Sequence, residues 1–297
     1  MLPRPAVNAV IGVVLIAGVG AALFQGWTDL RKVEWQFHPA PLAAAFLLLL
    51  LAQAALAPVW VLVFRRLGGA ITMRQGMRVF LISDLGKYLP GKVMHAFGRV
   101  IMLQEYGVTA SISVASIVIT LVLSLMAACL VSLLSLPLLQ EDHRNWLLLL
   151  AAIAVPLGLT SLHPVVFERL LRVGARVIPW AKIELGYRPL SYRTTLTALA
   201  AYTLSWVIMA VALFTTARAL YHIDLAWLPA MGGIVSLSYM FGLAVPIAPS
   251  GLGAREGLMT LLLATFMPLP AAAAASVLFR LIGILGEALA ALVASRL

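Results

Sequence analysis

The sequence predicts an all-α, polytopic integral membrane protein. Hydrophobic residues make up 63% of the 297 residues and charged residues only 11%, and the mean hydropathy is +1.03. Soluble domains contain about 25% charged residues, so this composition excludes an ordinary soluble protein. Apolar runs near the roughly 20 residues that span a bilayer lie at 7–24, 40–63, 112–136, 146–161, 196–219 and 271–295. We therefore expect a single membrane domain, residues 1–297, with about six full spans.

Two further apolar stretches, about 76–104 and 229–267, contain breaks. The first is broken at Pro90-Gly91, and the second by two prolines and two glycines. Proline removes a backbone donor and glycine adopts conformations that other residues resist, so the second helix should stop before Ser250 and restart near Gly253. Arms of about 11–14 residues, at 1.5 Å per residue, reach about the bilayer midplane. We therefore predict two re-entrant broken-helix hairpins.

The chain divides into two halves, 7–136 and 146–295, each with three spans and one hairpin. The first hairpin follows an even number of spans and the second an odd number, so the halves form an inverted repeat. Paired helix breaks in inverted repeats are typical of a transporter's substrate site. In an alternative assignment, 229–248 is a full span followed by a half-helix, which reverses the direction of the last span.

Positive charges gather in two connections of the chain. Residues 64–111 contain seven Lys or Arg and residues 162–195 contain six, against two in 25–39 and one in 137–145. The positive-inside rule then places these two loops and the N-terminus in the cytoplasm, and we expect the inner membrane. The net charge of +10 reflects these loops and does not indicate nucleic-acid binding. Residues 163–180 alternate apolar residues with arginines, which fits a helix on the membrane interface or one packed on the bundle base.

Ionisable residues inside the apolar stretches are the candidate functional residues, because a charge at membrane depth needs a partner or a function. A helix that restarts within the membrane presents free N–H groups and a positive dipole end, which suit an anion. The candidate substrate-binding residues are Lys87, Pro90, Gly91, Lys92, His95, Arg99, Ser250, Gly251, Gly253, Arg255, Glu256 and Arg280, and the candidate proton carriers are Asp84, Glu256 and Glu287.

Several of these residues also have a structural interpretation. Arg255 and Glu256 could form a pair that fastens the broken helix, and the dipole favours a carboxylate in the first turn. Lys87 and Lys92 are equally well explained as cations whose side chains extend to the cytoplasmic surface. Arg280 and Glu287 are two helical turns apart, so they share one face of the last span, which we expect to point inward.

The sequence contains no motif of a nucleotide-binding loop, a serine hydrolase or a zinc protease. The five histidines are scattered, and Cys129 is the only cysteine, so it forms no intrachain disulfide. We therefore expect no catalytic residues, no metal and no cofactor.

Two motifs, Gly86–Val93 with Gly98-Arg99, and Pro249–Gly257, resemble the lysylphosphatidylglycerol synthase transmembrane-domain family, also described as flippase-like membrane proteins. In hydropathy the resemblance covers nearly the whole chain. Bifunctional members add a soluble aminoacyl-transferase domain. Here Leu297 directly follows a predicted span, so we expect that domain to be absent. Many relatives place a Glu shortly after the first Pro-Gly, where this chain has His95, which weakens an acid-dependent role for the first motif and fits a different headgroup.

The resemblance implies a lipid transporter or flippase, with movement that is passive or ion-coupled because no nucleotide motif is present. The substrate class stays open among an aminoacyl-phospholipid, a polyprenyl-phosphate carrier and a glycolipid, all with a phosphate-containing headgroup. One alternative is a non-transporting scaffold that docks a lipid-modifying enzyme or glycosyltransferase on 162–195. Another is a membrane enzyme on lipid phosphate that uses Ser250, His95 and the carboxylates. The expected partners are membrane lipids, with a homo-oligomer or an enzyme partner left open.

Overall fold

A computed structural model of the chain is a bundle of helices. It describes residues 37–88, 94–133, 135, 188, 190–245 and 251–296, with isolated positions between 152 and 169. Several predictions fall outside the described residues, namely the span 7–24, most of the span 146–161 and of the segment 163–180, and the site residues Pro90, Gly91, Lys92 and Ser250.

Eight α-helices are described in full. They are α1 (Pro39–Arg66), α2 (Met73–Asp84), α3 (Met94–Gln104), α4 (Ala110–Ser132), α5 (Tyr192–Leu220), α6 (Leu228–Ala244), α7 (Ala254–Leu263) and α8 (Leu269–Ser295). Of the described helices, five are long and apolar enough to cross a membrane: α1, α4, α5, α8 and α6 extended by a 3-10 turn to Leu225–Ala244. The first four correspond to the predicted spans 40–63, 112–136, 196–219 and 271–295.

The first broken stretch consists of two short helices. α2 has 12 residues and α3 has 11, and a 3-10 turn, Leu85–Tyr88, follows α2 directly. At 1.5 Å per residue each arm is about 16–18 Å long, close to half the thickness of a bilayer. α2 starts sharply because Thr72 and Gln75 form a capping box, in which each side chain accepts from the other residue's backbone N–H at 3.2 and 2.9 Å.

The second broken stretch has unequal arms, since α6 has 17 residues and α7 only 10. α7 begins at Ala254, and Gly253 precedes it with a φ of 84° that disfavours side chains. The prediction that the helix restarts near Gly253 is therefore confirmed. With its 3-10 turn, α6 reaches the 20 residues of a full span, so its length also fits the alternative assignment.

α1 and α5 pack along each other. The backbone N–H of His38, before α1, donates to the carbonyl of Ala219, near the end of α5, at 3.0 Å, so the two helices run antiparallel. α8 packs against α2 and against α7, and thus contacts both broken stretches. This position of α8 brings the two breaks to the same region of the bundle.

Gly251 and Gly242 fix the second break through a close approach of backbone to backbone. A Cβ added at Gly251 would lie 2.8 Å from the Gly242 Cα, and Gly251 has a φ of +71°.

We expect Gly251→Ala to lower the free energy of unfolding by about 2–3 kcal/mol, because it adds both a clash and backbone strain. The control is Gly257→Ala, inside α7, where a Cβ meets nothing within 4 Å. That variant should gain about 0.5–1 kcal/mol from helix propensity. Unfolding in a denaturing detergent titration measures both, and equal effects would contradict the prediction.

Candidate functional site

A cavity of about 540 Å³ lies in the middle of the bundle. Ligand sites commonly have volumes of about 300–1,000 Å³, so it is large enough for a lipid headgroup. Residues of both broken stretches line it, together with α1, α4, α5 and α8. The predicted site residues in its wall are Asp84, Lys87, His95, Arg99, Gly251, Arg255, Arg280 and Glu287. Gly253 and Glu256 lie next to this wall, at the start of α7.

Lys87 joins the first break to α8. Its Nζ lies 2.8 Å from Asp84 Oδ2 and 2.7 Å from Glu287 Oε1, and Tyr88 donates its hydroxyl to Glu287 Oε2 at 2.6 Å. Gln53 Nε2 of α1 donates to Asp84 Oδ2 at 2.7 Å. The Lys87 side chain is 24% exposed and both carboxylates are 17% exposed. Lys87 is therefore paired inside the protein and is not a cation extended to the membrane surface.

Arg99 is held by the protein on several sides. Its Nε donates to Ser83 Oγ at 3.0 Å, and its Nη2 lies 3.9 Å from Asp84 Oδ1. The guanidinium carbon lies 5.0 Å from the Trp60 ring and 4.4 Å from the Phe80 ring, within cation–π distance of both. Arg99 is only 4% exposed. It borders the cavity, but these contacts give it a structural role in joining α3 to α1 and α2.

Glu256 fastens the start of α7. Its Oε2 accepts from the backbone N–H of Gly253 at 2.7 Å, and its Oε1 lies 3.3 Å from Arg280 Nε. The Arg280 guanidinium also lies 5.3 Å from the Tyr88 ring, so it reaches from the second break to the first. The partner of Glu256 is thus Arg280 of α8 and not its neighbour Arg255, because adjacent residues on a helix do not face each other.

Arg255 differs from the other cations of the cavity. Lys87, Arg99 and Arg280 each lie within 4.0 Å of a carboxylate. Among the described residues, no carboxylate lies that close to Arg255, whose guanidinium carbon is 5.0 Å from the Tyr239 ring. Arg255 is 9% exposed. A buried charge without a direct ion pair is costly, so this position suits an anionic ligand.

The prediction missed three contributors to the site: Gln53, Tyr88 and Tyr239. Gln53 carried a signal, since it is a polar residue inside a long apolar run. Tyr88 lies within the first motif, and Tyr239 gives no signal because a tyrosine in an apolar helix is ordinary. At Gly251 the absence of a side chain allows the backbone to lie against the backbone of Gly242. Within the described part of the chain, no three His, Cys, Asp or Glu side chains are grouped as metal ligands.

The chain was also compared with known proteins. It has no match among curated proteins. A family model described as "Lysylphosphatidylglycerol synthase TM region" matches residues 9–291, which is nearly the whole chain and includes both breaks. The sequence motifs, the two broken stretches around one cavity and this match agree, and the protein belongs to the lysylphosphatidylglycerol synthase TM region family.

Proposed function

We propose that the protein is a lipid transporter, or flippase, that moves a lipid with a phosphate-containing headgroup between the two leaflets. The observation that carries this proposal is Arg255, a buried cation in the cavity wall with no carboxylate within 4.0 Å among the described residues. The headgroup phosphate would bind there, beside the positive end of α7, while the acyl chains stay in the bilayer.

In this proposal the two broken stretches are re-entrant hairpins of an inverted repeat, and the headgroup crosses the membrane between them. The protein acts as a single domain in the inner membrane, with a cytoplasmic N-terminus and no catalytic step. Movement is passive, or is coupled to protons through the carboxylates Asp84, Glu256 and Glu287. The short arms α2 and α3 support the first hairpin, and the confirmed restart at Gly253 supports the second break.

The test is leaflet-resolved lipid movement in proteoliposomes made with the full chain. Labelled phosphatidylglycerol and a labelled polyprenyl phosphate serve as substrates. We expect Arg255→Gln to lower the rate at least about tenfold, because a hydrogen bond to a charged group contributes about 1.5–3 kcal/mol. Arg218→Gln is the matched control, since Arg218 is an exposed arginine whose guanidinium also lies over a ring, that of Phe214 at 5.6 Å.

Three results would count against the proposal or against its anion site. If folded wild-type protein moves neither lipid, transport is wrong and the scaffold for a lipid-modifying enzyme becomes the better explanation. If the protein converts a lipid phosphate in detergent, it is an enzyme. If wild type and Arg255→Gln transport at the same rate, the anion site is not at Arg255.

A further inference from the structure

We infer that the cavity selects a headgroup with a net negative charge and no ammonium group, and that it rejects aminoacylated phospholipids. This inference rests on the proposed transport function and narrows its substrate class. It follows from the ion pairs of the cavity: the described carboxylates are paired with cations of the protein, whereas Arg255 has no carboxylate within 4.0 Å among the described residues.

Among the described residues, each of the three carboxylates around the cavity is engaged by a cation of the protein itself. Asp84 and Glu287 share the Lys87 ammonium at 2.8 and 2.7 Å. Glu256 lies 3.3 Å from Arg280. Their remaining oxygens accept further hydrogen bonds, such as Tyr88 to Glu287 at 2.6 Å and the Gly253 amide to Glu256 at 2.7 Å. An ammonium group of a lipid would therefore have to displace a cation of the protein to reach a carboxylate.

Aromatic faces are the other usual partners of ammonium groups, and cations of the protein lie against two tyrosine rings of the cavity wall. The Tyr239 ring lies under Arg255 at 5.0 Å. The Tyr88 ring has the Lys87 Nζ at 5.4 Å and the Arg280 guanidinium at 5.3 Å. An ammonium group that approached either ring would therefore lie close to a cation of the protein.

The described charged side chains at the cavity include one more cation than carboxylates. With His95 counted as neutral, four described cations (Lys87, Arg99, Arg255 and Arg280) accompany three described carboxylates (Asp84, Glu256 and Glu287), which leaves one positive charge among these residues. A phosphodiester monoanion compensates this excess, whereas a lysylated phospholipid, with two ammonium groups and one phosphate, increases it. Like charges in a medium of low dielectric repel strongly.

The test compares binding of three ligands to the full chain in a non-ionic detergent by titration calorimetry. The ligands are short-chain phosphatidylglycerol, its lysyl ester and sn-glycerol 3-phosphate, which carries the phosphate without acyl chains. We expect phosphatidylglycerol to bind at least about tenfold more tightly than its lysyl ester, a difference of about 1.4 kcal/mol. In Arg255→Gln the ratio should fall to about one, and in Arg218→Gln it should stay as in wild type. Glycerol phosphate should bind weakly, and binding as tight as that of the lipid would overturn a lipid headgroup as the ligand.

Transport of the same two lipids in proteoliposomes separates the two proposals. If phosphatidylglycerol moves and its lysyl ester moves as fast or faster, the selectivity is wrong and the transport function stands. If both lipids bind equally in wild type, the selectivity is also wrong. If folded protein neither binds nor moves either lipid, both the selectivity and the transport function are wrong.

Discussion

Replacing Lys87 with methionine is expected to lower the free energy of unfolding by about 3–5 kcal/mol, the cost of breaking a buried ion pair by removing one partner. The Lys87 ammonium lies within 2.8 Å of both Asp84 and Glu287, and all three side chains are at most 24% exposed. Methionine has a similar length and fills a similar volume, so the loss comes from the charge. In this variant Asp84 keeps Gln53 and the more distant Arg99, and Glu287 keeps its hydrogen bond from Tyr88.

A double-mutant cycle tests that the ion pair causes this loss. Glu287→Gln keeps a side chain that can accept from Tyr88 but removes the charge that faces Lys87. The double variant removes both charges of the Lys87–Glu287 pair, so neither is left buried without the other. We therefore expect its loss of stability to be about 1–3 kcal/mol smaller than the sum of the losses in the two single variants. Arg78→Met is the matched control, because Arg78 is an exposed cation on the same α2 and should change stability by less than about 0.5 kcal/mol.

The measurement is the unfolding midpoint of purified protein in a mixed-micelle titration with a denaturing detergent. Additive losses in the cycle would show that Lys87 and Glu287 act independently. A Lys87→Met variant as stable as Arg78→Met would show that the two breaks are not held together through α8 by this pair. Loss of the pair is also expected to loosen the first break from the last span, although the Tyr88–Glu287 hydrogen bond and the Arg280–Tyr88 contact remain.

The parts of this fold that the sequence predicts well are those that local rules determine. The apolar runs at 40–63 and 271–295 give α1 and α8 because a helix satisfies every backbone group within a bilayer. The restart of α7 at Ala254 follows from the glycine before it, whose φ of 84° is a local property. The arm lengths of the first break also follow from the spacing between its flanking polar residues and the Pro-Gly pair.

The pairing of charges could not be predicted in the same way, because it depends on contacts between distant parts of the chain. Lys87 and Glu287 are 200 residues apart in sequence and meet only after α8 has packed on the first break. The neighbours Arg255 and Glu256 suggest a pair, but helix geometry turns them in different directions. Glu256 instead meets Arg280, 3.3 Å away on α8, and this leaves Arg255 for the cavity.

Arg99→Gln is expected to destabilise the protein by about 3 kcal/mol whether or not lipid is present. The variant loses the ion pair with Asp84 at 3.9 Å and the cation–π contacts with Trp60 and Phe80 at 5.0 and 4.4 Å. Cation–π contacts contribute about 0.5–2 kcal/mol each, and a charged hydrogen bond about 1.5–3 kcal/mol. Arg99→Lys should restore little of this loss, because an ammonium group lacks the planar guanidinium that lies between two rings and donates from Nε.

Arg255→Gln is expected to affect stability differently from Arg99→Gln. Because Arg255 has no carboxylate within 4.0 Å among the described residues, removing its charge relieves an uncompensated burial and should leave stability without lipid unchanged or slightly higher. Substitutions of these two buried arginines should therefore have different effects: Arg99→Gln should mainly lower stability, and Arg255→Gln should mainly weaken lipid binding. Thermal unfolding without lipid, followed by binding of short-chain phosphatidylglycerol, measures both effects. If Arg99→Gln folds as stably as wild type but loses lipid binding, Arg99 is a ligand residue and the structural role argued from its four contacts is wrong.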